Sequence, residues 1–155
     1  MKKPRAQYVN GFLFDPTLSS VVLLRKNKPP HQEGLLNGIG GKIDAGETPL
    51  KAMNREYKEE AGMTGIEWRK FAVFSWQGQH HPQGADMYCF VATGNVNAAR
   101  SLTAEVVGVY KVAEVMDRPD TVNNLRWLIQ MARSMFFGEK FGFFYVEGRD
   151  DRKAP

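Results

Sequence analysis

Apolar and polar positions along this chain follow two rhythms. Tyr8 to Phe14 is rich in aromatic and β-branched residues and stops at Asp15-Pro16, a turn signal, so it predicts a strand. Ser20 to Lys26 (SVVLLRK) predicts a second strand, able to pair with the first as a hairpin. Asn27 to Gly34 carries two prolines and a glycine and predicts a loop. Asn37 to Lys42 (NGIGGK) predicts a short strand or a tight turn. Trp68 to Trp76 and Ala85 to Thr93 predict two strands joined by a polar loop, GQHHPQG. Glu105 to Val112 predicts another strand, and Phe143 to Val146 a last one.

The second rhythm is helical. Thr48 to Ala61 is the clearest case: Thr48 can cap it, Pro49 suits the first helical position, and Gly62 stops it. Asp120 or Thr121 can cap a second helix, in which Leu125, Leu128, Ile129, Ala132, Met135 and Phe136 recur at helical spacing. Strands and two helices are interspersed without regular βαβ alternation. That pattern predicts an α/β (α+β) fold with a mixed sheet covered by helices on its faces.

Composition bounds the class. With 155 residues, 43% hydrophobic and 25% charged, the chain suits one globular domain, and disordered or fibrous classes are excluded. We expect a single domain over 1–148, with 149–155 a flexible polar tail. No run is long and apolar enough to cross a bilayer, and the basic N-terminus lacks the apolar stretch of a signal peptide. Cys89 lies in the apolar run MYCFVAT and reads as a buried small hydrophobe. One cysteine and no export signal favour a reducing cytoplasm. The net charge of +4 attracts anionic substrates if it is focused, and is scattered surface lysine if it is not. No basic and aromatic stripe points to extended nucleic acid.

The chemistry concentrates in the first helix. At about 100° per residue, Glu56, Glu59 and Glu60 share one arc, and Leu50, Met53, Tyr57 and Ala61 an adjacent apolar one. Lys51, Asn54 and Lys58 take the remaining, solvated side. Like charges three or four positions apart repel, so either the arc is a solvated acidic surface or something cationic belongs there. A hard divalent ion, Mg²⁺ or Mn²⁺, prefers such oxygen ligands. Glu47 lies just before the helix, and Gly40-Gly41 lie further upstream, where a backbone carbonyl can approach an ion unobstructed. Arg55 can hold a carboxylate with its bidentate fork, or form an ordinary surface ion pair.

Gly41, Glu47, Arg55-Glu56, Glu59-Glu60 and Gly62-Met63 together resemble the Nudix box, G-x5-E-x7-R-E-U-x-E-E-x-G-U, with every fixed position filled. One bulky aliphatic position departs mildly, because Tyr57 stands there. The resemblance implies the Nudix fold, an α/β/α sandwich around a mixed sheet. It implies Mg²⁺-dependent hydrolysis of a nucleoside diphosphate linked to some moiety X. By that likeness Glu56, Glu59 and Glu60 hold the metals, and the Gly41 carbonyl is a further ligand. Arg55 orients a glutamate, and Glu47 supports the loop–helix geometry. Glu105 matches the extra glutamate that family members often use outside the box, or is a surface carboxylate at a strand end. Glu56 is the expected general base. His80-His81 fall in the expected loop, as surface residues or as substrate contacts.

The segment before the box, Asn37-Gly-Ile-Gly-Gly-Lys42, is similar to that of enzymes that clear oxidised purine nucleoside triphosphates. In those, the asparagine matching Asn37 bonds the base edge, which suits an amide that donates and accepts together. The other reading is that Asn37 serves a turn. Lys42, Trp76 and Asn123 are the further substrate-binding candidates. Trp76 or Tyr8 can stack on a base or serve as ordinary aromatics, and Trp127 falls at a core spacing. Asn123 and Asn124 stand where those enzymes carry aspartates, which puts the same base preference in doubt. The expected partner is a small nucleotide. The alternatives are a nucleotide sugar or dinucleotide such as ADP-ribose, or a non-catalytic binding module. Monomer and homodimer both fit.

Overall fold

Strand β1, Ala6–Phe14, runs through the middle of the sheet and decides the layout of everything else. It comes from a computed structural model that describes residues 5–138 and the backbone of 144–149. β2 (Ser20–Arg25) follows, then β3 (Leu36–Asn37) and β4 (Ile39–Lys42), helix α1 (Pro49–Ala61), β5 (Arg69–Gly78) and β6 (His81–Thr93). β7 (Val106–Lys111), α2 (Val112–Asp117), α3 (Leu125–Ser134) and β8 (Phe144–Arg149) complete the order. The sheet runs β3-β2-β1-β6-β5-β8, with β4 pairing β1 and β7 pairing β2. It is mixed: β1 is parallel to β6 from Ala6↔Ala85 to Phe14↔Thr93 and antiparallel to β4, and β5 is parallel to β8.

Alternation along the strands sorts the core into two layers. Val9, Leu13, Val22, Leu24, Phe90 and Ala92 pack with Ala52, Met53, Tyr57 and Ala61 of α1. Phe12, Phe14, Val21, Leu23, Cys89 and Val91 pack on the opposite face with α2 and with Leu125, Leu128, Ile129 and Ala132 of α3. The result is the expected α/β/α sandwich.

α1 forms as its sequence dictates. Thr48 Oγ1 accepts from the Lys51 N–H at 3.3 Å, Pro49 opens the first turn, and Gly62 ends the helix with φ +67°. Tyr57 is fully buried and ties the helix to β1: its hydroxyl accepts from Leu13 N–H and donates to the Gly11 carbonyl. Leu50, expected on the apolar face, is 47% exposed, so that face begins at Ala52 and Met53.

Several expectations need correction. Most of GQHHPQG is strand, because β5 and β6 run on to Gly78 and His81 and leave only Gln79 and His80 in the turn. β1 and β2 meet in a single pair, Phe14↔Val21, because β4 takes the neighbouring edge of β1. Val112 opens α2 rather than closing β7, a helix that the apolar run through Val112 does not announce. Asp120 and Thr121 cap nothing. Asp120 is held by Arg25 and Arg118, Thr121 bridges to Leu36, and α3 starts later, behind Asn124, with no side-chain cap. Trp127 is 41% exposed rather than core, its ring edge-on to Phe74 at 5.0 Å. β8 continues to Arg149, past the expected end at Val146, whereas Phe143 and the tail from residue 150 lie outside the described residues. Among the described residues no helix is long and apolar enough to cross a membrane.

Candidate active site

The acidic arc of α1 faces β4 and the segment leading to β7, and its members differ sharply in environment. Glu56 is 8% exposed, Glu60 is half-buried and Glu59 is exposed. Glu105, expected at a strand head, sits just before β7 and is buried. The Gly40-Gly41 pair lets these parts approach. A Cβ on Gly41 would lie 2.6 Å from the carboxyl carbon of Glu56, and one on Gly40 would lie 2.7 Å from the Val9 carbonyl carbon. Gly40 admits no side chain against that backbone, and Gly41 admits one only if the Glu56 carboxylate moves away.

Arg55 joins the loop to the helix. Its Nε and Nη2 fork onto Glu47 at 3.0 Å each, Nη2 also donates to the Lys42 carbonyl, and Nη1 donates to Glu56 Oε1 at 2.7 Å and to Glu59 at 3.3 Å. Glu47 in turn accepts from Asp44 N–H. The bidentate fork therefore grips Glu47, and Glu56 receives a single bond. The Arg55 hydrogen bond holds the Glu47 carboxyl below its ordinary range.

Glu56 and Glu60 are pushed the other way. Burial raises the Glu56 carboxyl against the pull of Arg55. Burial, then Glu56 and Glu105, lift Glu60 to about 7, with Lys26 opposing. Glu60 Oε2 is buried without a hydrogen-bond partner among the described residues. Such a carboxylate in acidic company is a fit for a hard cation. The carboxylates are gathered rather than converged: among the described residues no three acidic, histidine or cysteine groups stand ready to hold an ion. Arg55 draws Glu56 aside, while Glu105 accepts from Asn27 N–H at 2.8 Å and pairs with Lys26 at 3.6 Å.

The substrate candidates separate. Asn37 lies between β2 and β1, and its Oδ1 already accepts from Gly38 N–H and from Asn10 Nδ2. Its amide therefore offers only donors, against the expected donor and acceptor together. Trp76 stacks on Tyr8 at 6.0 Å and meets His81 edge-on at 5.7 Å. His80 stacks on His31 at 5.7 Å, so the two adjacent histidines diverge. Lys42 is exposed on β4, and its charge helps lower the His81 imidazole, after burial and His80. Asn123 is exposed two residues before α3. Lys26 and Asn10 escaped the sequence reading. The signal for Asn10 was there: a lone amide inside the apolar run of β1.

A profile of the NUDIX domain matches residues 4–130. The chain belongs to the NUDIX domain family. Comparison with curated proteins found no match. Among solved structures, the NUDIX domain of Shewanella oneidensis NrtR, complexed with ADP ribose, superposes with a TM-score of 0.73 at 20% identity, over 87% of this chain and 90% of that one. A MutT protein from Bacillus halodurans gives 0.68 at 22% identity, over 94% and 92%. A NUDIX-family hydrolase from Clostridium perfringens gives 0.66 at 18%, over 88% and 100%. These likenesses carry the fold; the Nudix chain's own residues must carry the chemistry.

Proposed function

We propose that this Nudix protein is a divalent-cation-dependent (d)NTP pyrophosphohydrolase that yields a nucleoside monophosphate and diphosphate. One observation carries the reading: Glu56, Glu60 and Glu105 crowd a largely buried region in which Glu60 Oε2 has no partner. A sequence selected for stability alone would not gather buried carboxylates there and leave an oxygen of one of them unpartnered. Nudix enzymes generally use divalent cations, and Glu56, Glu59, Glu60, Glu105 and the Gly41 carbonyl are the residues to hold Mg²⁺ or Mn²⁺. Such ions supply charge neutralisation for a diphosphate and a more acidic water.

The rest is the work of side chains. Arg55 fixes one oxygen of Glu56 at 2.7 Å, leaving Oε2 to take a proton from the attacking water as general base. Glu47 and the Lys42 carbonyl hold Arg55 in turn, so the loop and the helix move as one. Lys26 and Lys42 bring positive charge toward the anionic substrate. The Tyr8–Trp76 pair and Asn37 are the candidates to receive a base, by stacking and by donation.

A second reading, hydrolysis or binding of ADP-ribose, draws support from the NrtR domain complexed with that ligand. A nucleotide panel with Mg²⁺ separates them. Diphosphate release from NTPs supports the first. Phosphatase-sensitive products from ADP-ribose support hydrolysis of that ligand. A folded protein silent on the whole panel favours a non-catalytic nucleotide-binding module.

A further inference from the structure

Asn10 is 3% exposed, inside the apolar run from Tyr8 to Phe14. Its Nδ2 donates to Asn37 Oδ1 at 3.1 Å, and the Gly38 backbone N–H donates to the same oxygen at 2.8 Å. A backbone N–H can only donate, so it fixes which end of the Asn37 amide is oxygen. That choice requires the Asn10 group facing it to be NH₂. Asn10 Oδ1 is then turned against Gly38, where any Cβ would collide with it, and it has no hydrogen-bond partner. A buried unpaired carbonyl is unfavourable, and a leucine there would avoid it. The amide is explained if its NH₂ is needed. The Asn37 NH₂ is in the opposite situation: it has no partner among the described residues and is not sealed from solvent. Strand alternation puts Asn10 on the same face of β1 as Tyr8, whose ring stacks on Trp76.

We propose that Asn10 is a positioning residue for base selection. Together with the Gly38 N–H it locks the Asn37 amide with NH₂ outward, so that the site prefers 6-oxopurine nucleotides to their 6-amino counterparts. This rests on the nucleotide reading of the site. An outward NH₂ donates to an exocyclic oxygen, whereas against an exocyclic amine donor would face donor.

Inosine and adenosine monophosphates are suitable probes, since they differ at the 6-position and can be titrated by tryptophan fluorescence without metal. The intact protein should bind the inosine form about tenfold more tightly. Asn10→Leu should bring the two affinities within about twofold, with a melting temperature unchanged or higher. A residue of merely structural importance would lower the melting temperature and leave the ratio alone. Asn10→Asp, which keeps the shape and removes the donor, carries the test should the leucine variant not fold. Equal affinities in the intact protein, or a ratio retained in the folded variants, overturn the proposal. Hydrolysis of the two triphosphates is measured in parallel. Selective binding without hydrolysis overturns the pyrophosphohydrolase reading and leaves the role of Asn10 standing.

Discussion

Glu56, Glu59 and Glu60 look alike on a helical wheel, and the fold makes them unlike. Glu59 is exposed and bonded to Arg55; Glu60 is half-buried with one oxygen unpartnered. The folded-state pKa of Glu60 is raised from 4.5 to about 7, so the folded protein holds that proton more tightly than the unfolded chain. Stability from this group is fully present below pH 4.5 and is lost as pH rises through 7. Glu60→Gln should therefore raise the melting temperature of metal-free protein by roughly 2–6 °C at pH 8, with no gain at pH 4. Melts in chelator check this, and turnover should fall by orders of magnitude. Glu59→Gln should not share the stabilisation. His81 moves in the opposite sense: burial, His80 and Lys42 lower its pKa, so the folded state favours the neutral ring. Its stabilising share is present above pH 6.5 and is lost as pH falls through the lowered value. An NMR titration of the His81 ring should show a midpoint below 6.5. The box positions were legible as residues because motif spacing survives in the bare sequence. The direction of an amide was not: that Asn37 only donates depends on Asn10, which is distant in sequence.

At the scale of elements, the loop from Lys42 to Glu47 and the helix α1 act as one unit through Arg55. Arg55→Lys keeps the charge and loses the fork, so amides near Asp44 and Glu47 should exchange faster with solvent. Turnover should fall about 10–100-fold, as when other supports of metal ligands are removed. Thr48→Ala removes the capping bond to Lys51 N–H and should cost about 1 kcal/mol, a melting decrease of about 2–4 °C. α1 was readable because cap, first-turn proline and terminal glycine all agree. α2 was not, because a six-residue helix carrying Val112 and Val115 gives the same apolar signal as the end of a strand. The β5–β6 hairpin was hidden by polar residues, since its tip is held by pairing rather than by burial.

At the scale of the molecule, the two faces of one sheet are covered by different elements. α1 and its glutamates cover one side; α2 and α3 cover the other, where Tyr8, Asn10 and Phe12 follow one another along β1. Layer architecture was legible from the mix of periods, whereas the pairing of β1 with β6 was not, since nothing local specifies a partner that distant. Cys89 lies at full burial in this central layer, and burial pushes its thiol well above the ordinary range. A thiol reagent should leave native protein unmodified for as long as it stays folded, and the labelling midpoint in denaturant should coincide with loss of circular dichroism. The same placement of β1 reaches into synthesis. A ribosome completes Ala6–Phe14 long before it reaches Ala85 and Thr93, an interval of several seconds at about 5–20 residues per second. Throughout that interval the nascent chain displays an apolar strand with one long edge unclaimed, a template that holdase chaperones recognise and that crowded polysomes must keep apart.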